Sequence, residues 1–114
     1  VVIVELGGND GLRGQLPAQL KQNLAGMIDA SQQAGAKVLL LGMQLPPNYG
    51  ARYTQAFAAV YAELGKEKNV ALVPFFLEGV GGKTELMQAD RIHPAVGAQG
   101  LLLDNVWPAL KPLL

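Results

Sequence analysis

Apolar residues follow two alternating patterns along the chain. Val1 to Leu6 (Val-Val-Ile-Val-Glu-Leu), Lys37 to Met43 around Val38-Leu39-Leu40-Leu41, and the stretch from Val70 to Val73 are short, nearly unbroken apolar runs. Runs without polar alternation belong to strands covered on both faces of a parallel sheet. Between them the period changes to that of a helix. Leu16, Leu20, Leu24, Met27 and Ile28 recur at helical spacing, with Pro17 suited to a first turn and Gly35 to a stop. Tyr53, Phe57, Val60, Tyr61 and Leu64 mark the inner face of a second helix from Arg52 to about Lys68, leaving Glu63, Lys66 and Glu67 outside. A last helix is predicted over Ala95 to Leu110, with Val96, Leu103, Val106, Trp107 and Leu110 inward.

Strand, helix, strand, helix, strand, helix is the order of right-handed parallel crossovers, so the expected architecture is a three-layer α/β/α sandwich. The β-branched run at Val1 has the composition of an interior strand, and a flat apolar edge left unpaired invites aggregation. Further strands are therefore expected before Val1, which makes residues 1–114 the C-terminal portion of a single larger domain. An ordinary edge strand is the alternative.

The breaks between elements are equally legible. Gly7-Gly8-Asn9-Asp10-Gly11 reads as a sharp loop, because glycine and Asn or Asp tolerate left-handed backbone. Gln44-Leu45-Pro46-Pro47-Asn48-Tyr49-Gly50 cannot extend a strand, since prolines remove ladder donors. After Pro74-Phe75-Phe76 come a glycine-rich loop, a short turn near Thr84 to Met87, and Asp90-Arg91-Ile92-His93-Pro94.

Composition narrows the function. The 114 residues carry 9 Lys+Arg against 9 Asp+Glu, with 50% in the apolar set. A balanced charge without a basic block argues against an electrostatic grip on nucleic acid or an anionic membrane. High apolar and low charged content argues against disorder, and no apolar run is long enough to span a bilayer. With no cysteine, thiolate chemistry, disulfides and cysteine-ligated metals are excluded.

Ligands of open parallel sheets gather beyond the carboxyl ends of the strands, which directs attention to the loops at Gly7 to Gly11, Gln44 to Gly50 and Pro74 to Gly82. Asn9 follows the first strand directly and could offer its amide to an oxyanion, or could cap its own turn. The sole histidine lies in Asp90-x-x-His93. That spacing lets the carboxylate reach one imidazole nitrogen and leave the other for a reacting group, the base and orienter of a triad. Pro94 restricts His93 to extended backbone. A nucleophile is missing: the single serine, Ser31, sits in the first helix without a strained elbow, and Thr54 and Thr84 lack an activating context. Gly79-Val80-Gly81-Gly82-Lys83-Thr84 approaches a phosphate loop, but Leu77 occupies the first glycine position. One His with Asp90 and Asp10 has no recognised metal-ligand spacing.

Gly7-Gly8-Asn9-Asp10 and Asp90-Arg91-Ile92-His93-Pro94 resemble two of the four signature blocks of the SGNH (GDSL) hydrolases. Glu5 to Gly14, Leu45 to Gly50 and Pro74-Phe75-Phe76 extend the resemblance to essentially the whole chain. It implies a flavodoxin-like sheet, with the nucleophilic serine of a Gly-Asp-Ser-Leu block and an oxyanion-hole glycine carried by an N-terminal segment absent from this sequence. Under the resemblance Asn9 donates to the oxyanion, His93 is general base and acid, Asp90 orients it, and Asp10 stabilises the loop. Met43 and Leu45 line the acyl pocket, with Pro46 to Gly50 as a movable wall or a rigid turn beside it.

The implied activity is acyl-enzyme hydrolysis of esters and thioesters, as an esterase, acyl-CoA thioesterase or lysophospholipase. It needs no cofactor, takes a small-molecule substrate, and involves neither nucleic acid nor stable membrane insertion. The implied location is periplasmic or secreted. Arg91 is a departure, because relatives usually carry glycine there. It is expected to point to solvent from ordinary backbone; a positive φ would add strain of about 1 kcal/mol. The contrasting expectation is a non-catalytic module that binds a partner through its open sheet edge, and a phosphate-binding flavodoxin-like module is a third.

Overall fold

Val38–Leu41 forms β2, and all four of its residues are buried. An all-apolar strand of this kind is stable only when paired at both edges and covered on both faces. Both conditions are met in the computed structural model, which describes residues 1–114. β1 (Val2–Val4) and β3 (Ala71–Val73) flank β2 in one parallel sheet of order β1-β2-β3, with Val2 opposite Val38 and Val73 opposite Leu41. A short helix α1 (Gly8–Leu12) and the long α2 (Pro17–Gln33) connect β1 to β2. α3 (Ala51–Glu67) connects β2 to β3, and α4 (Gln99–Leu110) follows β3.

Alternate residues of β2 face opposite layers. Leu40 and Val38 join Val4 in a core with Leu20, Leu24 and Ile28 of α2 and Phe57, Val60, Tyr61 and Leu64 of α3. Leu39 and Leu41 join Val73 and Val106 of α4 on the other side. Two crossovers of the same hand, advancing in the same direction across the sheet, must place their helices on one face. α2 and α3 do so, and α4 supplies the third layer. The predicted α/β/α sandwich is the observed one.

Several local expectations shift. Within residues 1–114, Val4 of β1 is buried while Val2 and Ile3 are exposed; β1 pairs with β2, and α4 covers β2 and β3. In the first long helix Leu20, Leu24 and Ile28 are buried, whereas Leu16 precedes the helix and Met27 turns partly to solvent. Of the residues expected on the inner face of the last helix, Val106 is buried and Leu110 packs beside it, but the rest of the face is displaced by one residue. Ala98, Leu102 and Val106 point inward, while Val96, Leu103 and Trp107 are exposed. Leu101-Leu102-Leu103 is apolar on every side, so periodicity leaves the helix phase open. A tight 3-10 turn at Val96–Ala98 sets it, because that turn rotates each residue further than an α-helix does.

The glycine-rich segment does not open a helix. Thr84–Leu86 is a single 3-10 turn, and Val80 is buried against Ala98 and Leu102.

The strand ends pack without slack. A Cβ on Gly42, just past β2, would lie 2.2 Å from the Pro74 carbonyl oxygen. The Gly42 N–H donates to Val73 O at 2.7 Å and its carbonyl accepts from Phe76 N–H at 2.9 Å. Gly42→Ala is therefore expected to lower the unfolding free energy by about 2 kcal/mol through overpacking. Gly26, exposed within α2, has nothing within 4 Å of an added methyl, so Gly26→Ala should raise stability by about 0.5 to 1 kcal/mol. Urea unfolding of the two variants measures both effects.

Candidate active site

Parallel strands place the loops after β1, β2 and β3 at one edge of the sheet. The first of these carries Asn9. Gly7 adopts φ 114°, a conformation that costs a side-chain-bearing residue strain, and its missing Cβ would lie 2.2 Å from the Tyr61 hydroxyl. The chain then turns into α1. The segment read as a plain loop is thus a left-handed glycine followed by a helical turn, because Gly8 and Gly11 admit close neighbours: Met43 Sδ lies 3.2 Å from a Cβ built on Gly8, and Phe57 and Leu45 lie 2.6 Å and 2.7 Å from one on Gly11. Asn9 is exposed on this turn. The N-cap is Gly7, which has no side chain with which to cap the helix.

Asp90 and His93 meet in a second loop. An antiparallel bridge between Met87 and Pro94 closes its base, with Gln88 N–H donating to His93 O at 2.7 Å and Ala95 N–H to Leu86 O at 2.8 Å. The two carboxylate oxygens of Asp90 divide the work. Oδ1 accepts from the backbone N–H groups of Ile92 (2.9 Å) and His93 (3.1 Å), which shapes the turn. Oδ2 lies 2.6 Å from His93 Nδ1. The imidazole contact, reinforced by the two backbone donors, holds the Asp90 carboxyl down from 3.8 to about 2. An ionised carboxylate can only accept, so Nδ1–H donates and Nε2 is the nitrogen left for chemistry.

Arg91 departs from expectation. Its φ is 60°, not ordinary backbone. Three contacts around it impose this: Arg91 N–H donates to Gln88 O at 2.9 Å, and the next two amides both turn back to Asp90. The left-handed residue is the cost of bringing Asp90 onto His93.

Glu5 stands just beyond β1, within electrostatic reach of His93. Partial burial pushes its carboxyl up, and His93 acts in the opposite sense. Neither this acid nor Tyr61 is marked by a sequence pattern for chemistry. The available signal for Tyr61 was a tyrosine on a wholly apolar helix face, where a buried hydroxyl needs a partner. Met43 and Leu45 are half-buried beneath the Asn9 turn. Leu45 also faces an open groove of about 340 Å³ lined with Gln44, Pro47, Thr54, Gln55 and Ala58, which Met43 does not reach. Ser31 is on α2, its hydroxyl donating to Met27 O at 2.8 Å.

Two outcomes test the His93 loop. Because its carboxyl is depressed, Asp90 stabilises the folded loop above pH 3.8 and loses that contribution as the pH falls toward about 2. An NMR titration of the Asp90 carboxyl carbon should have its midpoint near 2, and a midpoint at or above 3.8 refutes the pairing. Arg91→Gly should be neutral or stabilising by up to about 1 kcal/mol, and Arg91→Val destabilising by about 1 to 2 kcal/mol, in thermal melts.

Comparison with known proteins bears on this geometry. Residues 1–99 match the GDSL-like lipase/acylhydrolase family. Esterase TesA of Pseudomonas aeruginosa is 65% identical over 114 residues, covering 100% of this chain and 57% of that protein. Thioesterase 1/protease 1/lysophospholipase L1 of Escherichia coli is 48% identical over 113 residues, 99% of this chain and 54% of that one. The chain thus spans little more than half the length of these relatives. The crystal structure of TesA superposes with a TM-score of 0.96 at 65% identity, over 100% of this chain and 63% of the other. That of the psychrotrophic esterase EstA from Pseudoalteromonas, inhibited by monoethylphosphonate, gives 0.88 at 37% identity, over 96% and 60%. The chain belongs to the GDSL-like lipase/acylhydrolase family.

Proposed function

We propose that this chain contributes the His–Asp–Asn portion of an SGNH-type serine hydrolase that cleaves acyl esters and thioesters. The observation that carries the reading is the Asp90–His93 pair, in which a carboxylate held ionised fixes the imidazole through Nδ1 at 2.6 Å. No residue of the chain is built as the nucleophile, so the reading assigns that role to a serine outside these 114 residues.

In the reaction, the serine hydroxyl adds to the acyl carbonyl carbon while His93 Nε2 takes its proton. The Asn9 amide and backbone N–H groups hold the oxyanion. Collapse expels the alcohol or thiol, which receives the proton from His93. Water then attacks the acyl-enzyme, with His93 again as base, and releases the acid. Asp90 remains ionised throughout and stabilises the imidazolium.

Leu45 at the groove and Met43 beside Gly8 supply apolar surface that suits an acyl chain. The names of the relatives, esterase and thioesterase/protease/lysophospholipase, support the ester and thioester class. Inhibition of EstA by a phosphonate, a tetrahedral acyl mimic, agrees with acyl-enzyme chemistry. A periplasmic or secreted location belongs to the same reading, and no helix is long and apolar enough to cross a membrane.

The alternative reading is a non-catalytic module that binds a partner through the edge of its sheet. Activity separates the two. In the full-length protein, Asn9→Ala is expected to lower kcat on p-nitrophenyl acyl esters by ~10² to 10³, and Asp90→Asn by up to ~10⁴ through the wrong tautomer. The 114-residue chain alone should not exceed background. Near-wild-type turnover by Asn9→Ala or His93→Ala eliminates the assignments.

A further inference from the structure

The chain has three tyrosines, and all three direct their hydroxyls at main-chain carbonyls of one short segment. Tyr61 donates to Leu6 O at 2.8 Å, Tyr49 to Leu12 O at 3.0 Å, and Tyr53 to Gln15 O. The segment between Leu6 and Gln15 contains α1 and Asn9. A five-residue helix without a side-chain cap cannot hold itself in place, because nucleation costs more than one turn returns.

The inner contact is the stiffest. Tyr61 is 1% exposed and packs edge-on against Phe57, with ring centroids 5.7 Å apart and planes at 68°. Phe57 in turn presses on Gly11, and the Tyr61 hydroxyl occupies the space a Cβ on Gly7 would need. Burial keeps the phenol protonated and therefore a donor. Gly7, pinned from α3 in this way, lies two residues before Asn9.

We infer that Tyr61 is a positioning residue for the reaction: its hydroxyl, seated on Leu6 O and braced by Phe57, sets where the Asn9 amide stands at the oxyanion. The inference rests on the reading of Asn9 as an oxyanion donor. It differs from a purely structural role in one respect. The contribution of Tyr61 to kcat must pass through Asn9, whereas a general loss of packing would lower activity with or without that amide.

A double-mutant cycle in the full-length enzyme tests this. Tyr61→Phe is expected to lower kcat about tenfold through misplacement of the donor, with KM changed less than about twofold. Asn9→Ala lowers kcat about a hundredfold, and the double variant should fall no further than Asn9→Ala alone. Unchanged kcat in Tyr61→Phe, or losses that multiply in the double variant, overturn the inference while leaving Asn9 in its role. Unchanged kcat in Asn9→Ala overturns the oxyanion reading and the inference together. If Tyr61→Phe does not fold, Phe57→Leu keeps the hydroxyl but withdraws its brace. The same dependence on Asn9 is then expected, and multiplicative losses again overturn the inference.

Discussion

Complete burial of β2 is the constraint from which the rest of the structure follows. Val38, Leu39, Leu40 and Leu41 are each no more than 4% exposed, which requires a strand on either side and a helical layer above and below. The parallel neighbours need crossovers, the crossovers need helices, and the common hand of the crossovers places α2 and α3 together. α4 is then needed on the opposite face. The position of the candidate site is a by-product of this arrangement, because parallel strands end at one edge and deliver their loops there.

At that edge the chain repeatedly uses glycine to let one element approach another. Gly42 admits the Pro74 carbonyl, Gly7 the Tyr61 hydroxyl and Gly11 the Phe57 ring. Such approaches fix loop positions through backbone and ring contacts rather than through charge. The ion pairs of Lys21 with Glu63 and Glu67, and of Lys68 with Asp29, tie α2 to α3 and its end on the solvent side. Exposed pairs of this kind contribute little to stability. The loop with Asp90 is the exception, since there a single carboxylate both folds the turn and engages the imidazole.

That double use explains the left-handed Arg91. With Oδ1 taken by two successive amides and Oδ2 by Nδ1, the residue between Asp90 and Ile92 has little choice of backbone. Strain in a tight turn is accepted where the surrounding contacts over-determine it. Sequence could pose the question at Arg91 but not answer it, because the answer depends on hydrogen bonds that exist only once the loop is closed.

Local chemistry along the chain was enough to determine the element order, the parallel sheet and the pairing of Asp90 with His93, since apolar period and a three-residue spacing are properties of neighbouring residues. Tertiary packing alone decided which residues of the last helix turn inward, how far β1 is covered, that the Asn9 loop is a helical turn, and that three tyrosines from distant positions grip it. Those outcomes depend on what lies against each element. A sequence pattern specifies an apolar face only where polar positions interrupt it, and it carries no record of contacts made across the fold.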